Sequence, residues 1–512
     1  MTESVKAKNC KLERLETGLP GFDHISLGGL PKARTTLISG TAGSAKTIFA
    51  CQFLVEGIKK FEQSGIFVTL EENPEDIKKN MRSFGWDIDE WEKRGKWRFV
   101  DASFQVDDSA TILDNYDFGA LLARIEHAVR KTGAKRVCID SLSTVFGRFP
   151  HQEIVRNEIF RISSALKSMG VTTVITAERT NEYGEIARYG VEEFVTDNVI
   201  VLRNILEGEK RRRTIEILKL RGASHQKGEY PFTVSEDEGL IVIPISQIEL
   251  KQRSSDIRIS SGISELDNMC GGGFFRDSVI LLSGATGTGK TLTVTQFIAH
   301  GAMSGERSLL LAFEESRDQL FRNASGWGID FEDLERKGLL KVICDYPECR
   351  SLEDHLIVMK REIEEFQPKR MAVDSVSALE RVATIKGFRE FIIGISSYIK
   401  HQEIAGLFTA TTPTLVGGTS ATETHISTLT DSIILLRYVE ILGEMRRGLM
   451  ILKMRGSRHD KDIREFSIDH KGMGIGKPFR NVSGILTGNP MQLENAESDR
   501  LKGLFKEEVY RI

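Results

Sequence analysis
The chain carries one phosphate-loop pattern twice. Residues 35–47 read TTLISGTAGSAKT and residues 279–291 read VILLSGATGTGKT. In each, a strand-like apolar run enters a glycine-rich turn that closes on Lys-Thr and a helical pattern. Strand, turn and helix in that order aim successive backbone N–H groups into one concavity, which cradles phosphates. The lysine then reaches the β/γ-phosphates and the threonine hydroxyl meets Mg²⁺. The second copy, Gly284 to Thr291, matches G-x-x-x-x-G-K-[ST] in full through Thr286, Gly287, Thr288, Gly289, Lys290 and Thr291. The first, with Gly43, Ser44, Lys46 and Thr47, has Ala45 where the pattern has glycine. Its loop geometry and turnover are the open points.

The repeat extends far beyond the loops. Asp23 and Gly28-Gly29 align with Asp267 and Gly272-Gly273, Glu71-Glu72 with Glu314-Glu315, and Gly85-Trp86 with Gly326-Trp327. Asp140-Ser141 aligns with Asp374-Ser375, and Lys219-Leu220-Arg221-Gly222 with Lys453-Met454-Arg455-Gly456. A whole domain is duplicated, with a period too long for a solenoid. β-Branched runs alternate with amphipathic helical stretches: Ser64–Leu70, Arg136–Ile139, Thr172–Ala177 and Asn198–Leu202, then Ser308–Phe313, Arg370–Val373 and Ser432–Leu436. That alternation predicts an α/β fold: two tandem P-loop NTPase domains, each a mostly parallel sheet flanked by helices. The domains are expected at 1–248 and 256–491, joined by the polar linker ELKQRSS at 249–255 and followed by a charged tail, 492–512.

Composition excludes several classes. A formal net charge of −3 gives no global drive toward nucleic acid or an anionic membrane. The basic cluster Lys210–Arg213 sits between strand-like runs and reads as a solvated hairpin or interface. No apolar run approaches membrane-spanning length, and no N-terminal signal region is present. Six cysteines without a CxxC pair fit a reduced, cytoplasmic protein.

Asp140 and Asp374 end apolar strands beside the crevice where a P-loop enzyme needs a metal-orienting carboxylate. With Thr47 and Thr291 they form the expected Mg²⁺ set. Glu71-Glu72 and Glu314-Glu315 also follow strands, and a carboxylate there can polarise the attacking water or hydroxyl. Adjacent side chains on extended backbone point oppositely, so one of each pair is expected to reach the centre. The alternative is a solvated charge pair. Lys219 and Arg221, like Lys453 and Arg455, alternate with apolar residues, placing both cations on one strand face, available to phosphates or simply to water. His225 and His459 follow in loops. The halves diverge where VEEFVTDN faces ETHISTLTDS: Glu193-Phe194 in the first, Ser427-Thr428 in the second. Hydroxyls can accept a phosphoryl group, although they are also ordinary loop residues.

These features together resemble the KaiC family of circadian-clock ATPases and autokinases, within the wider RecA-like group. The tandem modules, Glu314-Glu315, Lys453-x-Arg455-Gly456 and the HISTLTD stretch carry the resemblance over nearly the whole chain. The family implies that the P-loop residues bind ATP and Mg²⁺, that Glu71 and Glu314 are catalytic with Glu72 and Glu315 beside them, and that Ser427 and Thr428 are autophosphorylated near Thr422. It implies that Arg381 and Arg389 lie at a subunit interface. It also implies that Lys219, Leu220, Arg221, His225, Lys453, Met454 and Arg455 lie toward the adjacent protomer's nucleotide. A double-ring homohexamer with ATP between subunits follows, as does a KaiB-like partner on the first ring. The stretch Arg480–Pro490 resembles the loop before the family's tail. Residues after it match poorly, so the resemblance gives no footing for an activator of the KaiA type. Two other classes share the ATP sites. A nucleic-acid motor predicts basic or aromatic pore loops and DNA-stimulated turnover, which the charge balance disfavours. A scaffold that binds ATP only to assemble predicts no turnover.

Overall fold
Strands with apolar residues at consecutive positions arise where a sheet is covered on both faces. The structure, a computed structural model, describes residues 12–103, 118–146, 152–188, 190, 192–207, 209–244, 254–412, 426–441, 443–480, 482–485 and 491–492. Most of the expected linker, the tail beyond 492 and Thr422 lie outside the described residues. The chain divides into two compact units, Met1–Gln247 and Ile248–Ile512.

In the first unit nine strands form one sheet. They are β1 Thr35–Gly40, β2 Gly65–Thr69, β3 Trp97–Asp101, β4 Arg136–Asp140 and β5 Thr172–Glu178. β6 Asn198–Glu207, β7 Lys210–Leu220, β8 Glu229–Ser235 and β9 Gly239–Val242 complete it. Their spatial order is β3-β2-β4-β5-β1-β6-β7-β8-β9. β3 through β6 in that order are parallel, and β6 to β9 continue antiparallel. The second unit repeats this. Its strands are β10 Val279–Gly284, β11 Ser308–Ala312, β12 Leu340–Cys344, β13 Arg370–Asp374 and β14 Ala405–Thr411. β15 Ser432–Ile441, β16 Glu444–Met454, β17 Arg464–Asp469 and β18 Gly472–Pro478 follow. The order is β12-β11-β13-β14-β10-β15-β16-β17-β18. This is the tandem, mostly parallel α/β P-loop architecture expected from the alternation. The run begun at Asn198 extends to Glu207 because it continues into a hairpin whose return strand starts at Lys210.

Alternation along each strand decides which helix it meets. In β2, Ile66 and Val68 belong to a core with Leu121 and Ile125 of helix Phe118–Thr132 and with Ile159 and Ile162 of helix Gln152–Ser168. Phe67 belongs instead to the core with Phe49, Phe53 and Leu54 of helix Lys46–Phe61, which continues the phosphate loop. Each loop is thus fixed between the sheet's central strand and a helix buried along most of its length.

The first residue of β4 is a buried arginine. Arg136 donates from Nη1 to the carbonyls of Thr17 (2.9 Å) and Phe53 (2.8 Å), from Nη2 to Glu16 (2.7 Å) and from Nε to Gln63 (2.9 Å). Burial pulls its pKa down to about 10. Arg370 opens β13 in the same way, with Nη1 on the Ser260 carbonyl (2.6 Å) and Nε on Glu306 (2.7 Å). A Cβ on Gly57 would come 2.6 Å from Arg136 Cδ, and one on Gly301 would come 2.4 Å from Arg370 Cδ. Glycine in mid-helix therefore makes room for each arginine. Among the described residues no helix is long and apolar enough to cross a membrane, and the described cysteines are free.

Candidate functional site
Gly40 ends β1 and Lys46 opens the helix, so the intervening turn stands at the carboxyl edge of the sheet, where open α/β sheets bind ligands. Lys46 Nζ donates to the carbonyls of Gly40 and Thr41, both at 2.9 Å. Lys290 Nζ does the same to Gly284 (2.9 Å) and Ala285 (3.0 Å). Burial lowers the pKa of both ammonium groups, while nearby carboxylates oppose that shift. Ser44 and Thr288 are buried and donate back to the carbonyls of Thr41 and Ala285, each at 2.7 Å. They brace the loop, which leaves backbone N–H groups and the lysine for phosphate.

Ala45 adopts the left-handed conformation that glycine would, with φ 69° against 99° at Gly289. The loop geometry is therefore kept without the glycine. A Cβ on Gly289 would meet Ile468 Cδ1 at 2.8 Å. The position aligned with Ile468 in the first unit is Val234, one methylene shorter, and it packs on the same core as Ala45. Gly289→Ala is expected to weaken binding of a fluorescent ATP analogue at the second site about thirtyfold, from left-handed strain of roughly 1 kcal/mol plus a clash of similar size. Adding Ile468→Val should recover about half of that loss in free energy, if the contact contributes as much as the strain. No recovery would remove the contact from the explanation.

Behind each loop stands the expected aspartate. Thr47 Oγ1 donates to Asp140 Oδ2 at 2.7 Å, and Thr291 Oγ1 to Asp374 Oδ2 at 2.8 Å. The other carboxylate oxygens accept from Thr176 and Thr409, one residue type at one place in β5 and β14. Their only signal in the sequence is that they align between the halves as Thr-Ala within apolar strands. A hydroxyl beside an oriented carboxylate is a hard oxygen set that suits Mg²⁺, an ion that keeps water and phosphate as its other ligands.

The paired glutamates lie in bends just beyond β2 and β11 rather than on extended backbone, and the members of each pair meet different partners. Glu315 turns inward: its Oε2 accepts from Asn323 at 3.1 Å, and burial, then Asp374, raise its pKa against a hydrogen bond with Thr291. Glu72 is raised in the same direction by burial and then by Asp140. Glu71 and Glu314 are exposed, yet each lies close enough to its loop lysine to raise that ammonium's pKa. Glu71 accepts from Thr144 Oγ1 at 3.1 Å, and Glu314 lies 3.4 Å from Arg381. Arg389 is exposed on helix Ile385–His401.

The cationic strands reach the divergent turn of their own unit. Lys219 Nζ donates to the carbonyls of Glu193 (2.7 Å) and Thr196 (2.8 Å), and Arg221 to Phe194 (3.2 Å). Lys453 donates to Thr430 (2.7 Å) and Arg455 to Thr428 (2.9 Å). Arg221 and Arg455 stand one residue beyond their strands, yet share a side with the lysines. Leu220 and Met454 are buried, so only their backbone is available to a ligand. His225 Nδ1 faces its neighbour's carbonyl, Gln226 O, at 3.0 Å. Ser427 and Thr428 fall in one 3₁₀ turn, Ile426–Thr428, and Thr428 is exposed.

The sequence model of one family, described as "ATPase: KaiC", matches residues 15–247 and again 259–479. The chain is 65% identical over 498 residues to "Circadian clock protein KaiC3" of Synechocystis sp., covering 97% of the chain and 98% of that relative. It is 54% identical over 498 residues to "Circadian clock oscillator protein KaiC" of Thermosynechococcus vestitus, covering 97% and 96%. To the protein of that description in Synechococcus elongatus it is 52% identical over 495 residues, covering 97% and 95%.

Proposed function
The chain belongs to the KaiC family of ATPases, with one ATPase repeat in each half, and from that premise we propose a self-phosphorylating switch of the circadian-clock type. The first module hydrolyses ATP with water. In the second, ATP on Gly284–Thr291 donates its γ-phosphoryl to Ser427 or Thr428 of a neighbouring subunit. The hydroxyl oxygen bonds to the γ-phosphorus, the bond to the β,γ-bridging oxygen breaks, ADP leaves with that electron pair, and the hydroxyl proton passes to Glu314. The reverse step returns the phosphoryl group to ADP, re-forming ATP and the free hydroxyl, and hydrolysis of that ATP by water completes the autophosphatase activity. Thr291 and Asp374 in the second module, and Thr47 and Asp140 in the first, would hold Mg²⁺, which would neutralise phosphate charge there.

The observation that carries this reading is the turn at 426–428. Arg455 donates to the Thr428 carbonyl within it and Lys453 to the Thr430 carbonyl two residues on, and the sequence carries Ser427 and Thr428 where the first module has Glu193 and Phe194. The relatives' names, as clock proteins, supply the physiological class. A homohexamer of two stacked rings with ATP between subunits, a KaiB-like partner on the first ring and a cytoplasmic location belong to the same proposal. A phosphate on Thr428 adds nearly two negative charges at a turn already held by cations, enough to shift ring packing. Mass spectrometry after incubation with Mg-ATP should find phosphate on Ser427 or Thr428, and none at that turn in the Ser427→Ala/Thr428→Ala variant. ATP turnover with both residues unmodified would leave an ATPase whose output lies elsewhere.

A further inference from the structure
The two sites differ in a residue that the duplication does not preserve. Glu178 ends β5 and is paired in register with Gly40, the residue from which the phosphate loop starts. The aligned position in the second unit, in register with Gly284, is Thr411. The backbones match: Glu178 N–H donates to Ser143 Oγ at 3.0 Å, and Thr411 N–H to Ser377 Oγ at 2.9 Å. Only the side chain has changed, from a hydroxyl to a carboxylate. Glu178 is half-exposed in the crevice, with Arg188 Nη1 at 3.6 Å. Burial lowers the Lys46 pKa, and of the charges that raise it Glu178 acts most strongly, ahead of Asp140, Glu71 and Glu182. At Lys290 the opposing carboxylates are Asp374 and Glu314, with none from β14.

Counting hydrogens gives this difference a chemical meaning. A water nucleophile carries two hydrogens, and fixing its lone pair on phosphorus takes two acceptors. A serine or threonine hydroxyl carries one hydrogen and is already held by its chain. We propose that Glu178 is a further catalytic residue of the first site, accepting one hydrogen of the attacking water while Glu71 accepts the other. The water oxygen bonds to the γ-phosphorus and the bond to the β,γ-bridging oxygen breaks. ADP leaves with the electron pair, and one water proton passes through a carboxylate to phosphate or solvent. Thr411 supplies a hydroxyl but no carboxylate that can take the water's proton, so the second site keeps its γ-phosphoryl for a hydroxyl. The inference rests on assigning hydrolysis to the first module.

The test uses the full chain carrying Glu314→Gln and Ser427→Ala/Thr428→Ala, so that phosphate release reports the first site. Glu178→Gln and Glu178→Thr should each lower kcat roughly ten- to a hundredfold, leaving KM and the affinity for a fluorescent ATP analogue within about twofold. A kcat less than about fivefold reduced overturns the proposal, as does a loss that tracks nucleotide affinity, which a tether for Arg188 would give. Failure of the autokinase reading is seen separately, as absence of phosphate on the parent chain.

Discussion
Lys290→Met is expected to remove phosphate from Ser427 and Thr428 while first-site hydrolysis continues, and Lys46→Met to do the reverse. Each lysine closes its loop at the first position of the helix, with Nζ on the two backbone carbonyls from which the loop starts. Burial works against its charge, yet Asp374 and Glu314 oppose that shift at Lys290, as Glu178 and Asp140 do at Lys46. The cation is held ready rather than created by the ligand. Losing a fixed charge aimed at the transferring group costs on the order of a hundred- to a thousandfold in rate. Methionine keeps the apolar stem, so the loss falls on the charge. The two carbonyls it leaves without a donor cost about 1–3 kcal/mol locally, which a melting curve would register. Phosphopeptide mapping and phosphate release, measured on both variants, separate the sites. Phosphate persisting at Thr428 in Lys290→Met would place the donor ATP outside the second loop.

How much of this could be read in advance depended on what each residue's role requires. Lys46, Lys290, Asp140 and Asp374 were legible because loop and strand end fix where they stand. The glutamate pairs were legible as pairs, but not in their division of labour. That division depends on what lies opposite: Thr291 and Asn323 around Glu315, Arg381 beside Glu314. Thr176 and Thr409 were hidden by their company, since a hydroxyl in an apolar strand reads as β-branched packing until a carboxylate is found beside it. The sequence places Lys219 and Lys453 on a strand face open to phosphate or to water, and the resemblance points them toward the adjacent protomer's nucleotide. In each unit they grip the backbone of the divergent turn, a role that needs the sheet's hairpin to bring residues 23 to 26 apart together. Ala45 shows a pattern broken in sequence but kept in conformation, with φ 69° where Gly289 has 99°.

The buried arginines are the clearest case of a residue whose sequence signal is a glycine elsewhere. Arg370→Met is expected to destabilise the second unit by about 3–5 kcal/mol, the usual result of removing one side of a buried charged network. Glu306 would keep Arg276 at 2.7 Å, but the Ser260 carbonyl would lose its donor. Arg136→Met should act comparably on the first unit, because its four hydrogen-bond partners are three carbonyls and Gln63, none able to follow the side chain out to solvent. With two units, unfolding is not a single transition, so the loss should appear as one shifted step in calorimetry. The glycine supplies the decisive control. Gly301→Ala places a Cβ 2.4 Å from Arg370 Cδ and 2.7 Å from Ser308 Oγ, so it should destabilise the parent despite the roughly 1 kcal/mol that alanine gains in a helix. Beside Arg370→Ala, which has no atom at the δ position, the first clash is gone, and its cost should shrink by at least about 1 kcal/mol, a coupling of the size that touching residues show. An equal cost in both backgrounds would mean that the glycine serves the helix for some reason other than the arginine.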